Sequence, residues 1–141
     1  MKYVFSTEGG KPYRFPTHTN ELVIDRSEAT VSEVFMVDIE PGKGPPLHSH
    51  TDAEQVYYVV EGEGILTIGE GENQQRFPVK PGDAVLVPPL VMHAITTDKG
   101  RIRYFAVDSF VSPDAPNEPT WDEHARAVCD EMGWDYDTVV G

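Results

Sequence analysis

The chain has 141 residues, enough to bury one hydrophobic core without covalent help, so a single domain is expected. Lys and Arg total 11 against 24 Asp and Glu, a formal charge of −13; such a surface repels phosphate backbones, and nucleic acid is excluded as the expected partner. The single cysteine, Cys129, rules out an intrachain disulfide, no apolar run approaches the ~20 residues of a membrane span, and the opening MKYVFSTEGGKPYRF lacks a signal-peptide core, so a soluble cytoplasmic protein with no membrane partner is expected.

Residues 1–19 read as an N-terminal segment. From residue 20 to 111 the chain is punctuated by Gly and Pro, and the stretches between are short and rich in Val, Ile, Phe and Tyr. Strands are expected at 21–26 (ELVIDR), 31–39 (VSEVFMVDI), 54–60 (EQVYYVV), 64–69 (GILTIG), 83–88 (DAVLVP), 93–97 (HAITT) and 101–110 (RIRYFAVDSF). EGEG, GEGEN and KPGD supply turns between them. Several strands are apolar on both faces, as expected where one lines an interior and the other meets a second sheet or subunit. The class is all-β, an antiparallel sandwich or barrel.

Residues 112–141 differ. SPDAPNEP (112–119) reads as a Pro-rich loop, and TWDEHARAVCDEMGW (120–134) as a C-terminal helix. Thr120 and Glu123 form a capping box, and Gly133 is the stop. Trp121, Ala125, Val128 and Met132 would make the apolar stripe, with Trp121 and Trp134 as packing residues.

The chemistry concentrates in HSHTDAEQ (48–55). Side chains two apart on an extended strand point the same way, so His48 and His50 would share one space. Converging neutral imidazoles suit a divalent metal better than an apolar core. His93 follows a Pro-Pro break at the start of another strand and becomes a third candidate; His18 and His124 have no such company.

At these residues the sequence resembles the cupin superfamily, over roughly residues 20–110. Gly42, His48, His50, Gln55 and Gly62 match its first motif, and Gly82, Pro88 and His93 its second; Leu90 stands where the family often has Gly and Thr97 where it often has Asn. The resemblance implies a double-stranded β-helix, or jelly-roll barrel, often a homodimer, with one metal ion inside. It implies His48, His50, Gln55 and His93 as ligands: Glu54 and Gln55 face opposite ways on a strand, and the family's spacing back from Gly62 favours Gln55. Three imidazoles and an amide accept Mn, Fe, Co, Ni or Zn and leave the ion's charge uncompensated, which favours an anionic or chelating small-molecule substrate.

The ligand set is similar to that of single-domain cupins that ketonise unsaturated uronates. Those carry an Asp-x-Phe on the last barrel strand, where this chain has Asp108 and Phe110; the basic residue expected shortly afterwards is missing from SPDAPNEP. By that resemblance Asp108 is a candidate general acid/base. Tyr57 shares the inward face of Gln55, so its hydroxyl is a second candidate, and Arg101 and Arg103 could meet a substrate carboxylate. The expected activity is that of a metal-dependent isomerase or lyase on a sugar acid or similar molecule. An iron dioxygenase and a non-catalytic ligand-binding barrel are the alternatives.

Overall fold

A computed structural model describes residues 1–111 and 117–141. Nine strands come first: β1 (Pro12–Arg14), β2 (Thr19–Ile24), β3 (Ser32–Ile39), β4 (Ala53–Gly62), β5 (Gly64–Ile68), β6 (Gln75–Val79), β7 (Ala84–Val87), β8 (His93–Thr96) and β9 (Ile102–Phe110). Helices α1 (Trp121–Met132) and α2 (Tyr136–Val140) follow. The strands form a six-stranded sheet in the order β1-β2-β3-β9-β4-β7 and a three-stranded sheet in the order β6-β5-β8. Every described pair is antiparallel. This is the expected all-β jelly-roll architecture, with the core between the two sheets.

Alternation along the strands sets the interior. In β4, Ala53, Gln55, Tyr57 and Val59 are buried, while Val56, Tyr58 and Val60 are exposed. In β9 the inward set is Ile102, Tyr104, Ala106 and Asp108. Phe35, Val37 and Ile39 of β3 complete that side, and Leu66 and Ile95 come from the smaller sheet. Gly62 ends β4 with a φ of 77°, and a Cβ there would lie 1.9 Å from the Arg101 carbonyl oxygen, so only glycine allows the chain to turn this tightly into β5.

Helix α1 starts where the capping box placed it. Thr120 accepts a hydrogen bond from the Glu123 amide, and Gly133 ends the helix in the left-handed region at φ 73°. Its buried stripe is Trp121, Ala125 and Cys129, an i, i+4, i+8 row; Met132 is exposed, so Cys129 takes the place expected for it. The helix packs through Trp121 on Phe35, Tyr13 and Phe15. The Tyr13 hydroxyl donates to Asp122 at 2.9 Å and pins β1 to the helix. Five residues of the expected Pro-rich loop, 112–116, lie outside the described residues.

Candidate metal centre and the polar row beside it

His48 and His50 stand just before β4, but not in a regular strand. His48 makes an isolated antiparallel bridge with His93, the first residue of β8, through reciprocal backbone hydrogen bonds of 3.1 and 2.9 Å. His50 is anchored differently: its carbonyl accepts from the Leu90 amide at 2.8 Å. Leu90 adopts φ 70°, a left-handed conformation that costs a branched side chain energy and that glycine accepts freely. That is the physical content of the departure from Gly noted at this position. Thr97, the other departure, bridges the Glu40 carbonyl and the Lys43 amide and so does a turn-closing job.

The three rings converge, with centroids 5.1 Å apart for His48 and His50, 4.4 Å for His48 and His93, and 5.4 Å for His50 and His93. One ligand nitrogen from each lies within 4.8 Å of the other two. His48 Nδ1 sits 2.8 Å from the Pro46 carbonyl and His93 Nδ1 2.8 Å from that of Val91. A carbonyl only accepts, so both Nδ1 atoms carry the proton and both Nε2 atoms offer a lone pair. The Nε2 atoms of His50 and His93 are buried without a hydrogen-bond partner. Burial, reinforced by repulsion from His48, lowers His50 and His93 to about 4, so both are neutral at pH 7 as metal ligands must be. Bound imidazole nitrogens stand about 2.0–2.1 Å from a metal, so three nitrogens this close together could hold one divalent ion between them.

Next to this cluster a polar row crosses the six-stranded sheet. Gln55 of β4 pairs with Asp108 of β9, and Asp108 pairs with Glu33 of β3. All three are buried, Glu33 the most deeply at 2% exposure. Gln55 Nε2 donates to Asp108 Oδ1 at 2.8 Å, and its Oε1 accepts from the Tyr57 hydroxyl. The Asp108 and Glu33 carboxyls are hydrogen-bonded to each other, which requires a proton between them. Burial raises both: Asp108 goes above its ordinary range and Glu33 to about 8, against the opposing pull of Arg26. Arg26 grips Glu33 with two bonds, Nε to Oε1 at 2.7 Å and Nη2 to Oε2 at 3.1 Å, and reaches the Glu118 carbonyl with Nη1 at 3.1 Å. One cation facing two carboxyls that share one proton leaves the row neutral. Tyr57 is held far above 10 by burial and stays a hydroxyl donor.

Gln55 and not Glu54 faces inward, and Asp108 and Tyr57 meet at its amide. The sequence reading missed Glu33 and Arg26; the one signal was an acid in a mostly apolar strand, two and four residues before the core residues Phe35 and Val37. The two histidines left without company also sit closer than expected. His18 is lowered to about 4 by burial and then by repulsion from His48, and His124 on α1 adds to the repulsion on His50. Arg101 and Arg103 do not face a free carboxylate site: both pair with Asp38, and Arg103 also with Glu21.

A cupin domain is matched over residues 35–108, which run from within β3 to within β9 and include every residue of the cluster and row except Arg26 and Glu33. The chain belongs to the cupin family. Acireductone dioxygenase of Tuber melanosporum is 29% identical over 109 residues, covering 72% of this chain and 62% of that protein. Other curated relatives are covered over 36% and 26% of their length, so the chain spans less than two thirds of each of these curated relatives. Among solved structures, a predicted oxalate decarboxylase from Thermotoga maritima superposes with TM-score 0.68 at 18% identity, covering 77% of this chain and all of that one. KdgF from Halomonas sp. gives TM-score 0.66 at 18% identity over 81% of this chain and 98% of its own. These similarities show the fold. Among the described residues no helix is long and apolar enough to cross a membrane.

Proposed function

We propose that this cupin is a metal-dependent isomerase or lyase acting on a small oxygenated, carboxylated molecule such as a sugar acid. In this reading His48, His50, His93 and Gln55 hold one divalent ion, Asp108 exchanges a proton with the substrate and Tyr57 orients it. The observation that supports it most is Asp108: a buried carboxyl raised by that burial, set directly across from Glu33 and hydrogen-bonded to the amide of the fourth candidate ligand. A bound divalent ion would supply a Lewis acid for an oxyanion developing on the substrate.

The residues divide the remaining work. Asp108 gives a proton to one atom of the substrate and takes back the proton that another atom releases, and Glu33 and Arg26 stabilise the carboxylate in between. Isomerisation of this kind relocates one proton and needs no oxidant. Tyr57, neutral and donating to Gln55 Oε1, fixes which end of the amide is the carbonyl; that oxygen keeps a second lone pair for a metal.

The test is metal analysis of the purified protein, followed by incubation with unsaturated uronates and related sugar acids under strict anaerobiosis with product detection by NMR. Turnover without oxygen that Asp108→Asn removes, while about one metal per chain is retained, supports the reading; a protein that takes up no divalent ion overturns it. The similarity to acireductone dioxygenase favours one second reading, an iron dioxygenase. It requires oxygen consumption by the iron-loaded protein and silence under anaerobiosis. Tight binding of a sugar acid without turnover would instead mark a ligand-binding barrel.

A further inference from the structure

Helix α1 packs beside the polar row and brings with it a donor that has no acceptor. Trp121 is 6% exposed, and among the described residues its Nε1 has no hydrogen-bond partner. An indole N–H can only donate, and a buried donor left unmade is costly enough to need a reason. The ring centroid lies 4.4 Å from that of Phe35, which stands in register with Ala106 and, across β9, with Tyr57. On the inner face that row is next to the one formed by Glu33, Asp108 and Gln55. The unpaired indole therefore borders the candidate site.

His124 stands one turn further along α1, its ring centroid 5.3 Å from that of Trp121. Its Nδ1 is hydrogen-bonded to the Glu118 carboxylate. A carboxylate only accepts, so Nδ1 carries a proton, and the neutral ring then offers a lone pair at Nε2. Glu118 is tied to the row in turn, because Arg26, which grips Glu33, also donates to the Glu118 carbonyl at 3.1 Å. The His124 side chain is 33% exposed and lies close enough to His50 to repel its proton. A buried donor and a partly exposed acceptor thus stand side by side, between the polar row and solvent.

We propose that Trp121 Nε1 and His124 Nε2 form a subsite for a substrate hydroxyl, so that a sugar acid binds with its carboxylate toward the metal centre and its hydroxylated end against α1. This rests on the isomerase or lyase reading of the site and adds the residues that select the substrate. The pairing of donor with acceptor sets the chemical class. A hydroxyl accepts from the indole and donates to the imidazole at once, whereas a carboxylate satisfies only the indole. Charge agrees. The one basic residue of α1, Arg126, pairs with Asp122 and lies over the Tyr136 ring, Lys11 also reaches Asp122, and Arg26 is held by Glu33. Among the described residues the helix side of the site thus offers a carboxylate no uncommitted cation. A site built to bond a hydroxyl rejects an analogue lacking it, because its own polar groups are then left unpaired.

Two unreactive ring acids test this on the zinc-loaded full chain: methyl glucuronide, and tetrahydropyran carboxylate, which keeps the ring and the carboxylate and has no hydroxyl. Proton–nitrogen NMR is expected to show the Trp121 indole resonance moving with methyl glucuronide and not with the analogue, while that of Trp134 stays in place. Methyl glucuronide is expected to bind at least ~10-fold tighter than the analogue. Trp121→Phe, which keeps an aromatic ring in the core, and His124→Ala should each remove most of that preference and leave binding of the analogue unchanged. If Trp121→Phe melts too early to titrate, His124→Ala and the wild-type resonance decide the matter. An indole resonance that methyl glucuronide does not move, or equal affinities for the two acids, overturns the subsite and leaves the metal-centre reading standing. A shift of the Trp121 resonance in a chain that holds no zinc overturns the metal reading and keeps the subsite. If neither acid binds the zinc-loaded chain, both fall.

Discussion

Glu33 and Asp108 stand directly opposite each other on β3 and β9, buried and joined by one proton, with Arg26 gripping the far side of Glu33. This arrangement is costly to break from one side. Glu33→Gln takes the bidentate carboxylate from the buried Arg26 guanidinium and leaves it only Asp108 as counter-charge, and single removals of this kind cost about 3–5 kcal/mol. Arg26→Met should cost a similar amount, because it strands two carboxyls with one proton. The double variant Arg26→Met/Glu33→Gln should be less destabilised than the two single losses added together. Urea unfolding of the four proteins measures this as a coupling energy; additive losses would show that the row is not one electrostatic unit.

Acid should destabilise the metal-free protein over a defined window. Burial holds His18, His50 and His93 near 4 in the folded chain. Unfolded histidine titrates near 6.5, so the unfolded chain binds protons that the folded one refuses. Stability is therefore complete above about pH 6.5 and falls as the pH drops toward about 4. Because His18 is not a candidate ligand, His18→Asn should make that fall shallower whether or not metal is present. Adding a divalent ion should move the whole fall to lower pH, since the ligands must stay deprotonated to hold it. Thermal melts from pH 8 to 4, with and without metal, give both slopes; a flat apo profile would mean that the histidines are not buried in solution.

What the sequence disclosed, and what it concealed, follows from how locally each feature is encoded. Seven of the nine strands could be read because alternation and Gly–Pro punctuation are local. β6 was hidden by Pro78, which argues against a strand except at a sheet edge, and an edge is where β6 lies. β1 has three residues and α2 five, too few for a period to show. His48, His50 and His93 were legible through spacing. Glu33 was not, because its role exists only through pairing with Asp108, 75 residues later in the chain. The proximity of His18 and His124 to the cluster is likewise tertiary.

Leu90 offers a test of backbone strain at the centre itself. Its φ of 70° costs a non-glycine residue roughly 1–2 kcal/mol, while glycine adds roughly 0.5–1 kcal/mol of unfolded-state entropy. Leu90→Gly should thus be neutral or stabilising by up to about 1 kcal/mol, even though it deletes a side chain. That side chain is 69% exposed and contributes little packing. Leu90→Ile, whose β-branch fits this region worse, should destabilise. If Leu90→Gly lowers the melting temperature while Leu90→Ile does not, the left-handed geometry is not the conformation adopted in solution.

Metal titration of ligand variants separates the histidines from Gln55. His93→Ala removes the best-buried imidazole while keeping the backbone bridge to His48, and should abolish stoichiometric binding. Gln55→Ala should weaken it without abolishing it, because three imidazoles remain. Gln55→Glu is the informative change. In the metal-free chain its carboxylate would sit against Asp108, losing the 2.8 Å amide hydrogen bond and adding like charge, so the apo protein should melt earlier than wild type. With the ion bound, that same carboxylate cancels half of the +2 charge, and affinity should rise. The metal-induced gain in melting temperature should therefore be larger for Gln55→Glu than for wild type. An equal or smaller gain would place Gln55 outside the coordination sphere and leave it the task of holding Asp108.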